Sequence, residues 1–201
     1  MSEQDYEKLV YKVTEATDKH IYQMLLKKHN KDYKLIPPES IYCPYDLTQY
    51  TENSKDLIEI KTRYNYTFEQ YDDISIDTYK INNIMLHKEE ESATSAYVCA
   101  IYPQSDKIIL IDITFLDYDE DDVVQRPAKW HTLDKSPEKS KKISKTFIPL
   151  NIKEKKDNHL HTKTYQYLFP NLRETYIDTF KKYCKKYKVP ENIVEEELKG
   201  I

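Results

Sequence analysis

Residues 56–63, with the sequence DLIEIKTR, alternate between inward and outward positions with the period of two that a β-strand imposes. This period places Glu59 and Lys61 on one face of the strand, and a second acid, Asp46, lies on the segment before it. Two carboxylates and an amine that converge at a strand end can bind a divalent metal ion and position a water molecule beside a phosphate. The alternative for the same pattern is a solvated surface strand with a cross-strand salt bridge.

At these residues the chain resembles the PD-(D/E)XK nuclease superfamily. Asp46 and Glu59 match its acid pair, and Lys61 matches its lysine. The residue before Asp46 is Tyr45, and the proline is displaced to Pro44. The resemblance covers about residues 5–113 and implies a restriction-endonuclease-like α/β fold, with a three-layer core of the order αβββαβ and a mixed central sheet. It also implies that the acids hold Mg²⁺, for which Mn²⁺ can substitute, while the lysine assists the attacking water.

Further metal ligands are expected from the backbone and from the first helix. The carbonyl of Ile60 is available as a third ligand on the strand, because Mg²⁺ takes hard oxygen ligands. The resemblance implies an additional acid from the first helix. Glu15 lies about 180° from the apolar stripe of that helix and is predicted to face water, whereas Glu7 lies at its edge and is the preferred ligand. The alternative for Glu7 is an ordinary glutamate on a helix surface.

Four basic residues are predicted to contact nucleic acid. Arg63 continues the face of Glu59 and can clamp a phosphate with two hydrogen bonds, although it can equally pair with an acid. Lys80 lies on the helix after the motif strand, where the resemblance implies active-site contacts. Lys181 and Lys185 lie on a C-terminal helix whose basic residues alternate with tyrosines, a composition that suits phosphate contact and base stacking. The alternative for these lysines is a solvated helix face.

The apolar periodicity predicts an order of helix, strands, helix, strands. The predicted helices are residues 5–29, 74–91 with Asp77 as its cap, 172–188, and a short acidic helix or frayed tail at 191–198. The predicted strands are residues 33–36, 41–48, 56–64, 94–102, 107–113, 123–133 and 143–152. Residues 67–73 and 153–164 are predicted to be polar loops. We therefore expect a nuclease core at residues 1–115 and a β/α extension at residues 116–201 that packs on the same domain.

Composition excludes several classes of protein. The only glycine is Gly200, so a Gly-rich phosphate loop and a dinucleotide-binding fingerprint are both excluded. The net charge of −4 means that a nucleic-acid surface must come from local clustering of the 31 Lys and Arg residues. Three cysteines, odd in number and far apart, predict reduced structural thiols. No apolar run is long enough to span a bilayer, which predicts a cytoplasmic protein without membrane contact, in the host cytoplasm if a phage encodes it.

These patterns together predict a Mg²⁺-dependent deoxyribonuclease with DNA as its partner, and they leave a homodimer open. Cleavage at chain ends and cleavage within the chain are not distinguished. One alternative is a nuclease directed at RNA, since the same site cuts either backbone. The other is a non-catalytic α/β binding or structural protein, such as a regulator from a phage or mobile element. The net charge and the acidic loop at residues 117–122 favour this second alternative.

Overall fold

In the computed structural model, which describes residues 3–29, 32–38, 43–129, 142–153 and 160–201, helices and a small second sheet pack against a central β-sheet. The strands are β1 (Lys34–Ile36), β2 (Leu47–Tyr50), β3 (Lys55–Thr62), β4 (Asp73–Asp77), β5 (Ser95–Tyr102), β6 (Lys107–Asp112), β7 (Val124–Lys129), β8 (Lys142–Asn151) and β9 (Lys163–Leu168). The helices are α1 (Glu3–Lys28), α2 (Thr78–Glu90), α3 (Leu172–Tyr187) and α4 (Glu191–Leu198).

The central sheet is mixed and has the order β1-β2-β3-β5-β6-β9. Strand β2 pairs antiparallel with both β1 and β3, and β5 then lies parallel to β3. Parallel neighbours need a long crossover connection, and here that connection contains α2. The first part of the chain therefore follows the order αβββαβ, with β4 inserted before α2, and the predicted fold class is confirmed.

Two apolar clusters lie on the two faces of this sheet and make three layers. On one face, the buried stripe of α1, which includes Val13 and Ile21, packs with Tyr176 and Phe180 of α3. On the other face, α2 and a smaller sheet of the order β4-β8-β7 enclose the second cluster. Both faces of β3 are therefore covered, which explains why the successive residues from Leu57 to Ile60 are all buried.

The predicted helix at residues 74–91 is wrong in its first part. Asp73–Asp77 forms the strand β4, which pairs antiparallel with β8. Its burial alternates because Ile74 and Ile76 point into the core, and a run this short fits a strand as well as a helix. The helix begins at Thr78, and the predicted cap is confirmed because Asp77 Oδ1 accepts a hydrogen bond from the Tyr79 N–H at 3.0 Å.

The second half of the chain confirms the predicted strand at β8 and the predicted helices α3 and α4. The predicted loop at residues 153–164 is wrong at its end, because β9 begins at Lys163 and pairs antiparallel with β6. Residues 41–42, 130–133 and 154–159, which belong to the predicted segments 41–48, 123–133 and 153–164, lie outside the described residues. The proposed division at residue 115 stays a prediction. Beyond that residue, β9 extends the central sheet and α3 packs on α1.

Two expectations from composition, on the cysteines and on membrane-spanning segments, can be compared with the structure. The three cysteines, Cys43, Cys99 and Cys184, are free thiols, as predicted. None of the helices within the described ranges combines the length and the hydrophobicity needed to cross a membrane.

Candidate active site

The site forms where β2 separates from β3. The last paired residues of the two strands are Leu47 and Ile58. Beyond them, the Asp46 N–H donates to the Ile58 carbonyl at 2.8 Å, and Asp46 Oδ2 accepts from the Ile60 N–H at 2.7 Å. The carboxylate takes the place of the strand carbonyl that Ile60 would otherwise need as a partner. Asp46 is therefore fixed against β3 at the point where the sheet opens.

A cleft of about 190 Å³ occupies this opening. It lies between α1, the end of β3 and the first turn of α2. Its walls are mostly polar, and the residues that line it are Tyr11, Thr14, Glu15, Asp18, Lys19, Asp46, Glu59, Ile60, Lys61, Thr62, Tyr64 and Lys80. Acids and amines from three different elements therefore meet in one small volume.

Glu59 lies at the bottom of the cleft with no exposed surface. Its Oε1 forms an ion pair with Lys61 Nζ at 2.6 Å and a second ion pair with Lys80 Nζ. Burial raises the pKa of Glu59 to about 7; Lys61 and Lys80 oppose this rise, and Asp46 adds to it. Glu59 therefore exchanges its proton near neutral pH, and the neighbouring ammonium groups favour its ionised form.

Lys61 carries a positive charge in this arrangement. Burial lowers the pKa of Lys61, but Glu59 and then Asp46 raise it by more, so that it lies above the ordinary value for lysine. An ammonium group donates hydrogen bonds and accepts none. In the chain alone, Lys61 is therefore suited to hold a water molecule or a phosphate oxygen, and it is not available as a base.

The α1 side of the cleft contributes a third acid, Asp18. Its Oδ1 accepts hydrogen bonds from Thr62 Oγ1 at 2.8 Å and from the Tyr176 hydroxyl at 2.5 Å. The hydroxyl groups of Tyr64 and Tyr176 are hydrogen-bonded to each other. Burial raises the pKa of Asp18 to about 7, although both of its hydrogen bonds lower it. This network joins α1, β3 and α3 beside the cleft.

The structure brings together most of the predicted motif residues. Those that line the cleft are Asp46, Glu59, Ile60, Lys61 and Lys80. Glu7 is not among the lining residues, and its assignment as a metal ligand stays a prediction. The acids that α1 brings to the cleft are Asp18, which the sequence analysis missed, and Glu15, which was expected to face water. A signal for Asp18 was present, since it directly follows the buried stripe residue Thr17.

Three predicted phosphate contacts lie elsewhere. The Arg63 side chain points beneath β4, where its Nη2 donates to the Ser75 carbonyl at 3.4 Å, and burial lowers its pKa. Arg63 does not line the cleft, and its N–H continues the pairing of β3 with β5 by donating to the Ile101 carbonyl at 2.8 Å. Lys181 and Lys185 are exposed on α3 and also stand outside the cleft lining. Nucleic-acid contact by these three residues stays a prediction.

The donors in the cleft fit a small, hard cation. Within the described ranges, no group of three or more His, Cys, Asp or Glu residues is arranged to hold a metal ion. Mg²⁺ does not need such a group, since it keeps several waters and takes one or two carboxylates. Asp46 and Glu59 supply two carboxylates. The Ile60 carbonyl faces the same strand edge as its N–H, which is the edge that β2 has left.

Comparison with known proteins gives little that bears on these residues. No protein-family model matches the chain, and no curated protein matches it. Among solved structures, the chain is similar to the Holliday junction resolvase Hjc of the archaeal hyperthermophile Archaeoglobus fulgidus. The two share 15% sequence identity with a TM-score of 0.37, and the match covers 49% of this chain and 80% of the resolvase.

Proposed function

We propose that this protein is a divalent-metal-dependent nuclease that hydrolyses phosphodiester bonds in DNA. The observation that carries the proposal is the convergence of Asp46, Glu59 and Lys61 in one cleft at the opening between β2 and β3. Two carboxylates beside an ammonium group form a site for a cation and a phosphate. A solvated surface strand, which is the alternative, does not account for a glutamate with no exposed surface.

The proposed cation site consists of Asp46, Glu59 and the carbonyl of Ile60. A bound Mg²⁺ or Mn²⁺ would neutralise charge on the phosphate and lower the pKa of a coordinated water. For its part, the chain must present Glu59 in the ionised form, which the ammonium groups of Lys61 and Lys80 favour. It must also keep Asp46 in position, which the hydrogen bond from the Ile60 N–H does.

The remaining groups act on the water and the phosphate. Lys61 donates hydrogen bonds from its ammonium group to the attacking water or to a phosphate oxygen, and so stabilises the charge that develops there. Lys80 approaches Glu59 as Lys61 does and adds a second positive charge for the phosphate. Asp18, with a pKa of about 7, can accept a proton at neutral pH, as a general base requires.

The test is a cleavage assay on supercoiled plasmid, linear duplex, single-stranded DNA and RNA, with Mg²⁺ or Mn²⁺ and with EDTA. We expect metal-dependent cutting of DNA by the wild type. In Lys61→Ala the rate should fall by about 100-fold or more, as when one charge-stabilising donor is removed from other hydrolases. The matched control is Lys107→Ala, because Lys107 also pairs with a glutamate, Glu69, at 3.0 Å but lies outside the cleft.

Each alternative gives a distinct result in this assay. Cutting of RNA without cutting of DNA would keep the site and change the substrate. Folded wild type that cuts none of the four substrates with either metal would contradict the proposal and support a protein that only binds. The proposed DNA partner and a homodimer are checked separately, by DNA binding in Ca²⁺ and by the mass of the chain in solution.

A further inference from the structure

The wall that α1 contributes to the active-site cleft carries an exposed aromatic ring, that of Tyr11. This residue lines the cleft and is 48% exposed. It belongs to neither of the two apolar clusters, although Val13, two residues later on the same helix, is fully buried in one of them. The Tyr11 ring therefore contributes little to the core and leaves much of its surface open to solvent beside the site.

The charges that act on Tyr11 place it next to the proposed cation site. Burial raises the pKa of Tyr11, and the negative charges of Asp46 and Glu15 raise it further. Lys61 opposes this rise. The phenol stays neutral near pH 7, and its ring stands beside the residues that would hold the cation and the attacking water.

A second exposed ring stands on the α2 side of the cleft. Tyr79 is 76% exposed and directly precedes Lys80, whose ammonium group reaches Glu59. Its backbone is fixed, because its N–H donates to the cap residue Asp77 and its carbonyl accepts from Asn83 Nδ2 at 2.7 Å. Each of the two helices that border the cleft therefore presents a large exposed aromatic residue.

The positive charges of the cleft are already paired. Each lysine of the described lining forms an ion pair with a glutamate, Lys19 with Glu15, and Lys61 and Lys80 with Glu59. Binding of duplex DNA depends on many phosphate contacts by lysine and arginine. A strand that binds here must therefore gain part of its affinity through its bases.

The size of the cleft limits what can enter it. Its volume of about 190 Å³ is below the range of about 300–1,000 Å³ that is typical of ligand sites. Glu59 at its bottom has no exposed surface, so a phosphate must enter the cleft to approach the proposed cation site. The cleft admits a phosphate and a cation, and the bases beside that phosphate lie at its rim, near the two tyrosine rings.

We propose that the cleft takes single-stranded DNA, with Tyr11 stacked on a base next to the phosphate and Tyr79 stacked on a base on the other side. This inference rests on the proposed nuclease function, for which it names the substrate class. Aromatic side chains bind single strands by stacking, because every base has a π face. In a duplex those faces are covered by neighbouring base pairs, so the two rings favour an unpaired strand.

The first experiment measures DNA binding by fluorescence anisotropy in Ca²⁺, which binds carboxylates without the strict octahedral geometry of Mg²⁺. The ligands are a labelled thymidine dodecamer, an abasic strand of the same length, which keeps the phosphates and lacks the bases, and a duplex of that length. We expect the thymidine strand to bind at least about ten-fold more tightly than either of the others. Equal affinity for the thymidine and abasic strands, a preference for the duplex, or no binding of the thymidine strand would overturn the proposal.

Variants at Tyr11 then separate stacking from side-chain bulk. Tyr11→Leu keeps an apolar side chain and removes the ring, so it should weaken the thymidine strand at least about five-fold and leave the abasic strand unchanged. Tyr11→Phe keeps the ring and should retain wild-type affinity. Tyr71→Leu is the matched control, because Tyr71 is 50% exposed and packs edge-on against Tyr66 outside the cleft lining. Unchanged affinity in Tyr11→Leu, or an equal loss for both strands, would overturn the stacking role of Tyr11.

Tyr79→Leu tests the second ring in the same way and should also weaken the thymidine strand while the abasic strand is unaffected. Wild-type affinity in this variant would remove Tyr79 from the proposal.

Binding and cleavage fail independently. Metal-dependent cutting together with unchanged binding in Tyr11→Leu would overturn the stacking role and keep the nuclease. Base-dependent binding that is lost in Tyr11→Leu, in a protein that cuts nothing, would contradict the proposed nuclease and keep a site that binds single strands.

Discussion

Glu59 is a carboxylate with no exposed surface that lies between the ammonium groups of Lys61 and Lys80. Burial alone would keep it protonated, and the two lysines shift it back toward the charged form. The ionisation of one side chain therefore decides whether the proposed cation site is complete. The lysines can be tested separately, because Lys61 is on the same strand as Glu59 whereas Lys80 approaches from α2.

Replacing Lys80 with alanine should move the pH dependence of cleavage. Without the Lys80 charge, the pKa of Glu59 rises above about 7, so the acidic limb of the rate profile moves to higher pH, by up to about one unit. The measurement is kcat/KM against pH at saturating Mn²⁺. Lys80→Arg keeps the charge and should restore the wild-type limb. A rate lowered equally at every pH would instead mean that Lys80 contacts only the substrate.

Asp18→Asn should stabilise the protein above neutral pH. The pKa of Asp18 is raised from 3.8 to about 7 in the folded chain, so folding binds protons between these values and stability falls as pH rises through that window. Asparagine stays neutral, and its Oδ1 can accept both hydrogen bonds that Asp18 Oδ1 accepts. We expect a gain of about 1 kcal/mol or more near pH 8.5 and a clearly smaller gain near pH 5, where only part of the window from 3.8 to about 7 has been crossed.

The measurement for Asp18→Asn is urea unfolding in EDTA at the two pH values, so that metal binding does not contribute. Asp72→Asn, which alters an exposed carboxylate, should show no such dependence on pH. A loss of stability at both pH values would mean that the charge of Asp18 is compensated by its surroundings.

At the scale of elements, one side chain, Asp46, takes the place of strand pairing where β2 separates from β3. Asp46→Asn keeps an oxygen that can accept from the Ile60 N–H, so it should fold with nearly wild-type stability and lose cleavage with the loss of the carboxylate. Asp46→Ala leaves the Ile60 N–H without this acceptor and should cost about 1–3 kcal/mol in addition. Unfolding in denaturant and metal-dependent cleavage separate the two effects. Equal stability of both variants would show that water satisfies Ile60.

The end of α3 provides a prediction that is independent of function. Lys188, at the C-cap, has φ of 58° in the left-handed region, which glycine adopts without the steric cost that a side chain brings. Lys188→Gly should therefore stabilise the protein by about 0.5–1 kcal/mol. The matched control is Lys182→Gly in the middle of the same helix, which should cost about 1 kcal/mol. Thermal unfolding of the two variants should move in opposite directions from wild type.

The sequence predicted helices and strands well where the apolar periodicity extended over many residues without a conflicting signal. It failed at β4, whose five residues are too few to separate a strand from the start of a helix. It also missed β9, because an edge strand with one exposed face, KTYQYL, has the composition of a polar loop. Glu59 and Lys61, which both line the cleft, were predicted to lie together from their spacing within one strand. Asp18 and Tyr176 are 158 positions apart, and only the folded chain brings them into contact.

At the scale of the whole molecule, ionisation of the buried acids in the cleft lowers the free energy of unfolding as pH rises. The folded chain raises the pKa of both Glu59 and Asp18 to about 7, so both add a stability loss between about pH 4 and pH 7. A cation that binds the folded chain and not the unfolded one reverses part of this loss by mass action. Metal binding can then be measured as a change in the unfolding temperature, without a cleavage assay.

Mg²⁺ should therefore raise the unfolding temperature at about pH 8 relative to EDTA, and less so near pH 5.5, where protons compete for Glu59. At a concentration 100 times its dissociation constant, a ligand adds about 2.7 kcal/mol to the free energy of unfolding. Asp46→Asn should lose this increase because it removes one of the two carboxylates, while Asp72→Asn should keep it. If wild type shows the same unfolding temperature in Mg²⁺, Mn²⁺ and EDTA at both pH values, the cleft holds no cation, and Asp46 and Glu59 serve the fold alone.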